Sequence, residues 1–116
     1  MNKSPLVYLE DIISSITQIE EYVKNINWNQ FVENAEKQDA VIRRFEIIGE
    51  ASRKLEDNFR ETYSQIPWEE MVRFRNILIH NYSEVDLEII WQVIQDGDLS
   101  KAKYQIQDLF NSLESK

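Results

Sequence analysis

The sequence predicts an all-α protein, a bundle of about five or six helices. Only two glycines and two prolines occur in 116 residues, which leaves little material for turns. Apolar residues recur at steps of three and four along most of the chain, the period of a helix with one buried face. No stretch alternates apolar and polar residues as a half-buried strand would. At this length, residues 1–116 make a single domain able to bury its own core.

Ser4-Pro5 reads as a helix cap followed by proline at the first helical position. From there Leu9, Ile12, Ile16, Ile19, Val23 and Ile26 form one apolar stripe. Asn27 caps a short second helix carrying Trp28, Phe31 and Val32. A third helix is expected from about Glu36 to Phe59, striped by Val41, Phe45, Ile48, Ser52, Leu55 and Phe59. Gly49, beside that stripe, would permit close helix contact. A second stripe is entirely charged: Asp39, Arg43, Glu46, Glu50, Arg53 and Asp57. Its Asp39–Arg43 and Arg53–Asp57 spacings suit ion pairs worth ~0.2–0.5 kcal/mol each on an exposed helix. A solvated outer face accounts for this stripe. The functional alternative puts Arg43 or Arg44 near a bound anion.

Ile66-Pro67-Trp68-Glu69-Glu70 starts a fourth helix, with proline at its first position and two acids near the positive end of the dipole. Trp68, Met71, Leu78 and Tyr82 share a stripe with Arg75, so that arginine interrupts an apolar face. An unpaired buried charge is costly, and Arg75 should therefore face a polar cleft or an anion. Residues 83–86 break the helix. Asp86 caps the next one, with Val85 and Ile90 as a staple across the cap. That helix carries Leu87, Ile90, Trp91 and Ile94 and ends at Asp96-Gly97. Leu99, Ala102, Ile106, Leu109 and Leu113 stripe the last helix, and residues 114–116 should fray.

Composition narrows the chemistry. The absence of cysteine excludes disulfides, thiolate metal sites and cysteine nucleophiles, and one histidine per chain excludes a histidine-rich metal site within it. Carboxylates are numerous enough to hold Mg²⁺ weakly. The longest apolar run, Leu6 to Leu9, is far short of the ~20 residues of a membrane helix. With no signal-peptide pattern at the start, a cytoplasmic protein is expected. The net charge of −8 argues against indiscriminate nucleic-acid binding. That charge is uneven: residues 43–75 hold seven of the thirteen basic residues and seven acids, so they sum to zero.

The stretch Arg75-Asn76-Ile77-Leu78-Ile79-His80-Asn81-Tyr82 contains the only histidine. An imidazole moves protons near neutral pH, and a guanidinium grips a phosphate through two N–H groups without losing its charge. On a straight helix, five residues place Arg75 and His80 ~140° apart, so they do not share a face. Either the helix loosens near His80, or the site wraps around it. A lone histidine at a helix end is otherwise an ordinary terminus, favoured there by ~0.3–1 kcal/mol.

Arg75-Asn76-x3-His80-x-Tyr82 resembles the Arg-x4-His-x-Tyr signature of HepT-type toxins, a branch of the HEPN superfamily of α-helical ribonucleases. The similarity extends to Tyr8-Leu9-Glu10-Asp11-Ile12, Asp39-Ala40-Val41-Ile42-Arg43-Arg44, Ile48-Gly49-Glu50-Ala51, Ile66-Pro67-Trp68 and the segment from Val85 to Trp91. It covers roughly residues 5 to 110. The resemblance implies a HEPN-type antiparallel bundle and a homodimeric, metal-independent endoribonuclease without a cofactor, the toxin of a toxin–antitoxin pair. It also implies a minimal nucleotidyltransferase antitoxin that attaches AMP to the motif tyrosine, here Tyr82. Cleavage would use the RNA's own 2′-OH and leave a 2′,3′-cyclic phosphate.

The residues suit that chemistry. Cleavage of this kind needs an acceptor for the 2′-OH proton, a donor for the leaving 5′-oxygen, and positive charge at the phosphorane. Arg75 would supply the charge and His80 the proton transfer. One histidine cannot easily fill both proton roles, but a two-fold dimer would bring two copies of each residue into one cleft. Asn76 could orient His80 or bond a phosphate oxygen, or simply lie on the helix surface. The rival expectation is a non-catalytic subunit whose groove binds a nucleotide or the nucleotidyltransferase. A purely structural helical dimer would leave Arg75 unexplained.

Overall fold

A computed structural model of the chain describes residues 4–80 and 86–115. Seven helices lie among the described residues: α1 (Pro5–Val23), α2 (Trp28–Val32), α3 (Ala35–Lys54), α4 (Asp57–Thr62), α5 (Trp68–His80), α6 (Leu87–Gln95) and α7 (Asp98–Glu114). No strand occurs among those residues. The all-α expectation holds, with a helix count slightly above five or six.

The anticipated caps form. The Ser4 hydroxyl accepts from the Leu6 N–H at 3.2 Å, and the Asp86 carboxylate accepts from Glu88 N–H at 2.9 Å. Asn27 and Gln30 exchange reciprocal bonds, each 2.9 Å, in a complete capping box. The Val85 half of the expected staple lies outside the described residues. Pro67 falls one place before α5, where its carbonyl accepts the first helical bond from Met71 at 3.2 Å.

The extra helix arises because the expected third helix stops at Lys54. Leu55 is extended (φ −67°, ψ 139°), and Asp57 starts α4 in a new direction. No glycine or proline marks the turn. Ser52, fully buried, sends its hydroxyl back to the Ile48 carbonyl at 2.8 Å, a bond that competes with regular helix geometry one turn before the break. The break keeps Leu55 in the core and lets Phe59 lie 4.9 Å from the Tyr63 ring. It also changes the ion pairs. Arg53 turns back to Glu50 instead of forward to Asp57, and Arg43 pairs with Glu46 instead of Asp39.

Helix α3 stands between α1 and α5, α7 packs on α1, and α6 on α7. Leu9, Ile12, Ile16 and Ile19 of α1 are completely buried against Val41, Phe45 and Ile48 of α3. Phe74 of α5 meets Phe45 edge-on at 4.9 Å. Trp28, Phe31 and Trp91 form a cluster tying α2 to α6. At Gly49 the α3–α5 contact is so close that an added Cβ would overlap the Cβ of Arg75 and lie 2.8 Å from the Met71 carbonyl oxygen. No helix among the described residues is long and apolar enough to cross a membrane.

Candidate active site

Helix α5 carries Arg75, Asn76 and His80. Trp68 and Leu78, each 2% exposed, hold this helix in the core, and the Trp68 indole N–H donates to the Tyr63 carbonyl at 3.1 Å. Arg75 is on the α3 side. Its aliphatic stem lies over Gly49, and its side chain is 25% exposed.

The guanidinium is held at both ends. Nη2 lies 3.0 Å from Glu50 Oε2, and Nη1 donates to Asn76 Oδ1 at 2.8 Å. The Nε is buried and finds no partner among the described residues. A guanidinium has five N–H groups, so at least one on each terminal nitrogen is unbonded among the described residues. Glu50 therefore supplies the anion that the apolar surroundings of Arg75 required. It belongs to the charged stripe read as a solvated face, and only the α3–α5 packing reveals that its carboxylate turns toward α5.

Glu50 also gathers two cations from its own helix: Arg53 Nη2 at 2.7 Å and Lys54 Nζ at 3.8 Å. The hydrogen bond from Arg53, with the charges of Arg53, Arg75 and Lys54, outweighs burial and holds the Glu50 carboxyl below its ordinary range. One carboxylate facing three cations gives these four side chains a summed charge of +2.

Asn76 turns its carbonyl oxygen to Arg75, while its amide nitrogen makes no hydrogen bond among the described residues. His80 closes α5, exposed and without a hydrogen bond or ion pair among those residues. The helix does not loosen before His80, so the ~140° separation from Arg75 persists. Val72, Asn76 and Ile79 fall within that arc, and Ile79 is 39% exposed. Tyr82 lies outside the described residues.

Arg43 sits on the Glu50 face of α3, ~10 Å or two turns away, exposed and 3.7 Å from Glu46. Arg44 is half-buried and lies ~100° further round the helix. Neither reaches the Arg75–Glu50 pair, and the basic neighbours there are Arg53 and Lys54. The described residues contain no group of three or more acidic or histidine side chains able to hold a metal ion.

Comparison with known proteins agrees with the motif. A protein of Methanocaldococcus jannaschii named as an RNase, MJ1380, is 42% identical over 86% of this chain and 91% of its own length. A Thermococcus cleftensis protein named for ribonuclease HepT is 39% identical over 94% and 98%. A second M. jannaschii protein, named for both a gamma-glutamylcyclotransferase and an RNase, is 44% identical over 98% of this chain, which spans 51% of that protein. No solved structure gives a significant match. The family model described as "Ribonuclease HepT-like" matches residues 12–109, a span that contains Gly49, Glu50, Arg75 and His80, and the chain belongs to that family.

Proposed function

We propose that this chain is a metal-independent endoribonuclease and the toxin of a toxin–antitoxin pair. The observation that carries the reading is Arg75, anchored to Glu50 and Asn76 yet keeping at least one N–H on each terminal nitrogen unbonded among the described residues. That arrangement suits the bidentate grip of a phosphate whose charge rises in the transition state. Family membership and the RNase names of the relatives support RNA as the substrate.

In the proposed reaction the 2′-oxygen attacks the adjacent phosphorus, the 5′-oxygen leaves, and a 2′,3′-cyclic phosphate remains. One His80 accepts the 2′-OH proton. A second, from another copy of the chain, donates a proton to the 5′-oxygen. The arc of Val72, Asn76 and Ile79 between Arg75 and His80 offers a partly apolar surface for that second copy. Covering it would bring the two residues of each α5 toward one cleft.

Neutralisation is assigned to Tyr82 and a minimal nucleotidyltransferase. The tyrosine oxygen attacks the α-phosphorus of ATP, pyrophosphate leaves, and the phenolic proton passes to solvent or a base of the transferase. The attached AMP then competes with RNA for Arg75 and fills the space beside His80. The non-catalytic alternative draws on the net charge of −8. Incubation of the purified chain with single-stranded RNA decides between them. Products ending in 2′,3′-cyclic phosphate, formed equally in EDTA and lost in His80→Ala, are expected. An uncut RNA, or cleavage within a few-fold of wild type after His80→Ala, refutes the catalytic reading.

A further inference from the structure

We infer that Glu50 is a positioning residue for Arg75, an inference that rests on the ribonuclease reading. Three observations meet at it. The Arg75 stem crosses α3 at Gly49, where a Cβ would block it. The next residue, Glu50, takes Nη2 at 3.0 Å, so position 49 admits the side chain and position 50 fixes its end. Arg53 and Lys54 reach the same carboxylate at 2.7 and 3.8 Å.

The charges decide what this pairing does. A lone carboxylate on Arg75 would cancel its charge and compete with an incoming phosphate. Here the carboxylate is shared among three cations and these four side chains sum to +2, so the pair fixes the guanidinium without cancelling its charge. The torsions of Arg75 are then frozen before substrate arrives, and that ordering need not be supplied by binding. Asn76 fixes the other terminal nitrogen at 2.8 Å, and together they define the plane of the guanidinium.

The test is Glu50→Gln, nearly isosteric, with Glu50→Asp as a second variant that keeps the charge and shortens the reach. Both are compared with wild type by circular dichroism and by steady-state cleavage of a short RNA. Glu50→Gln should lower kcat on the order of tenfold to a hundredfold, the scale of a misplaced catalytic group, with KM changed less than about threefold. Glu50→Asp should fall between. In an Arg75→Lys background, Glu50→Gln should add little, because its effect passes through the guanidinium. An unchanged or raised kcat in folded Glu50→Gln overturns the inference, as does a full additional loss in the Arg75→Lys background. A wild-type chain that cuts no RNA overturns the ribonuclease reading itself and this inference with it.

Discussion

Gly49→Ala tests the α3–α5 contact on which the site is built. The new Cβ would overlap the Arg75 Cβ and stand 2.8 Å from both Arg75 Cγ and the Met71 carbonyl oxygen. A backbone carbonyl and a Cβ cannot swing aside as a side-chain tip can, so the helices must separate. Overpacking of this kind costs ~1–3 kcal/mol. Alanine returns ~0.5–1 kcal/mol of helix preference. Taking the middle of both ranges, a net loss of about 1.3 kcal/mol follows, or a fall in Tm of roughly 5 °C for a domain of this size. Separation also draws Arg75 from Glu50, so cleavage should fall with stability. Gly97→Ala makes the comparison sharp. Gly97 has φ 84° and nothing within 4 Å of an added Cβ, so alanine costs ~1–2 kcal/mol through backbone strain alone. It should lower Tm and leave cleavage unchanged. Thermal unfolding by circular dichroism, paired with an RNA cleavage assay, measures both. A Gly49→Ala protein as stable as wild type, or fully active, would refute the close-contact reasoning.

Three further outcomes are expected. Light scattering at micromolar concentration should give twice the 13.9 kDa chain mass, and Ile79→Glu should shift it toward the monomer with loss of cleavage; an active monomer would defeat the shared cleft. Tyr82→Phe should keep most of its cleavage yet escape neutralisation by the nucleotidyltransferase and ATP, and intact-mass analysis showing AMP on another residue, or none, would sink that assignment. The Glu50 carboxyl is held below its ordinary value of 4.5, so its stabilisation is complete above the unfolded value and is lost as pH falls through the folded one. The stability gap between wild type and Glu50→Gln in urea titrations should therefore shrink as pH falls below about 4.5, and a gap constant from neutral to acid pH would contradict the pairing.

Most of the fold was legible because the apolar stripes and caps are local signals. Ser4, Asn27 and Asp86 cap the helices expected from them. The break after Lys54 was not legible, since Leu55 continues the stripe and only the packing of Leu55 and Phe59 requires the turn. At the site, the sequence identified Arg75 as a charge on an apolar face that needed a counter-ion. It could not identify the counter-ion, because Glu50 sits among alternating charges that look alike along α3. Which acid turns inward depends on where α5 crosses, a relation between residues 25 apart in sequence. Gly49 was the available signal: a glycine inside a helix marks an approach too close for a Cβ, and its neighbour is then the side chain best placed to reach across.

The packing of α7 on α1 brings the first and last of the described helices side by side, clasped by Lys103 and Ser100 on Glu20 at 2.9 and 3.0 Å. Helix α3 stands between that pair and α5. The clasp on Glu20 joins residues 80 and 83 apart, so closing it costs more loop entropy than closing the shorter α1–α3 connection. Truncation before residue 98 would then remove the clasp and one wall of the core while leaving the α3–α5 contact its own partners.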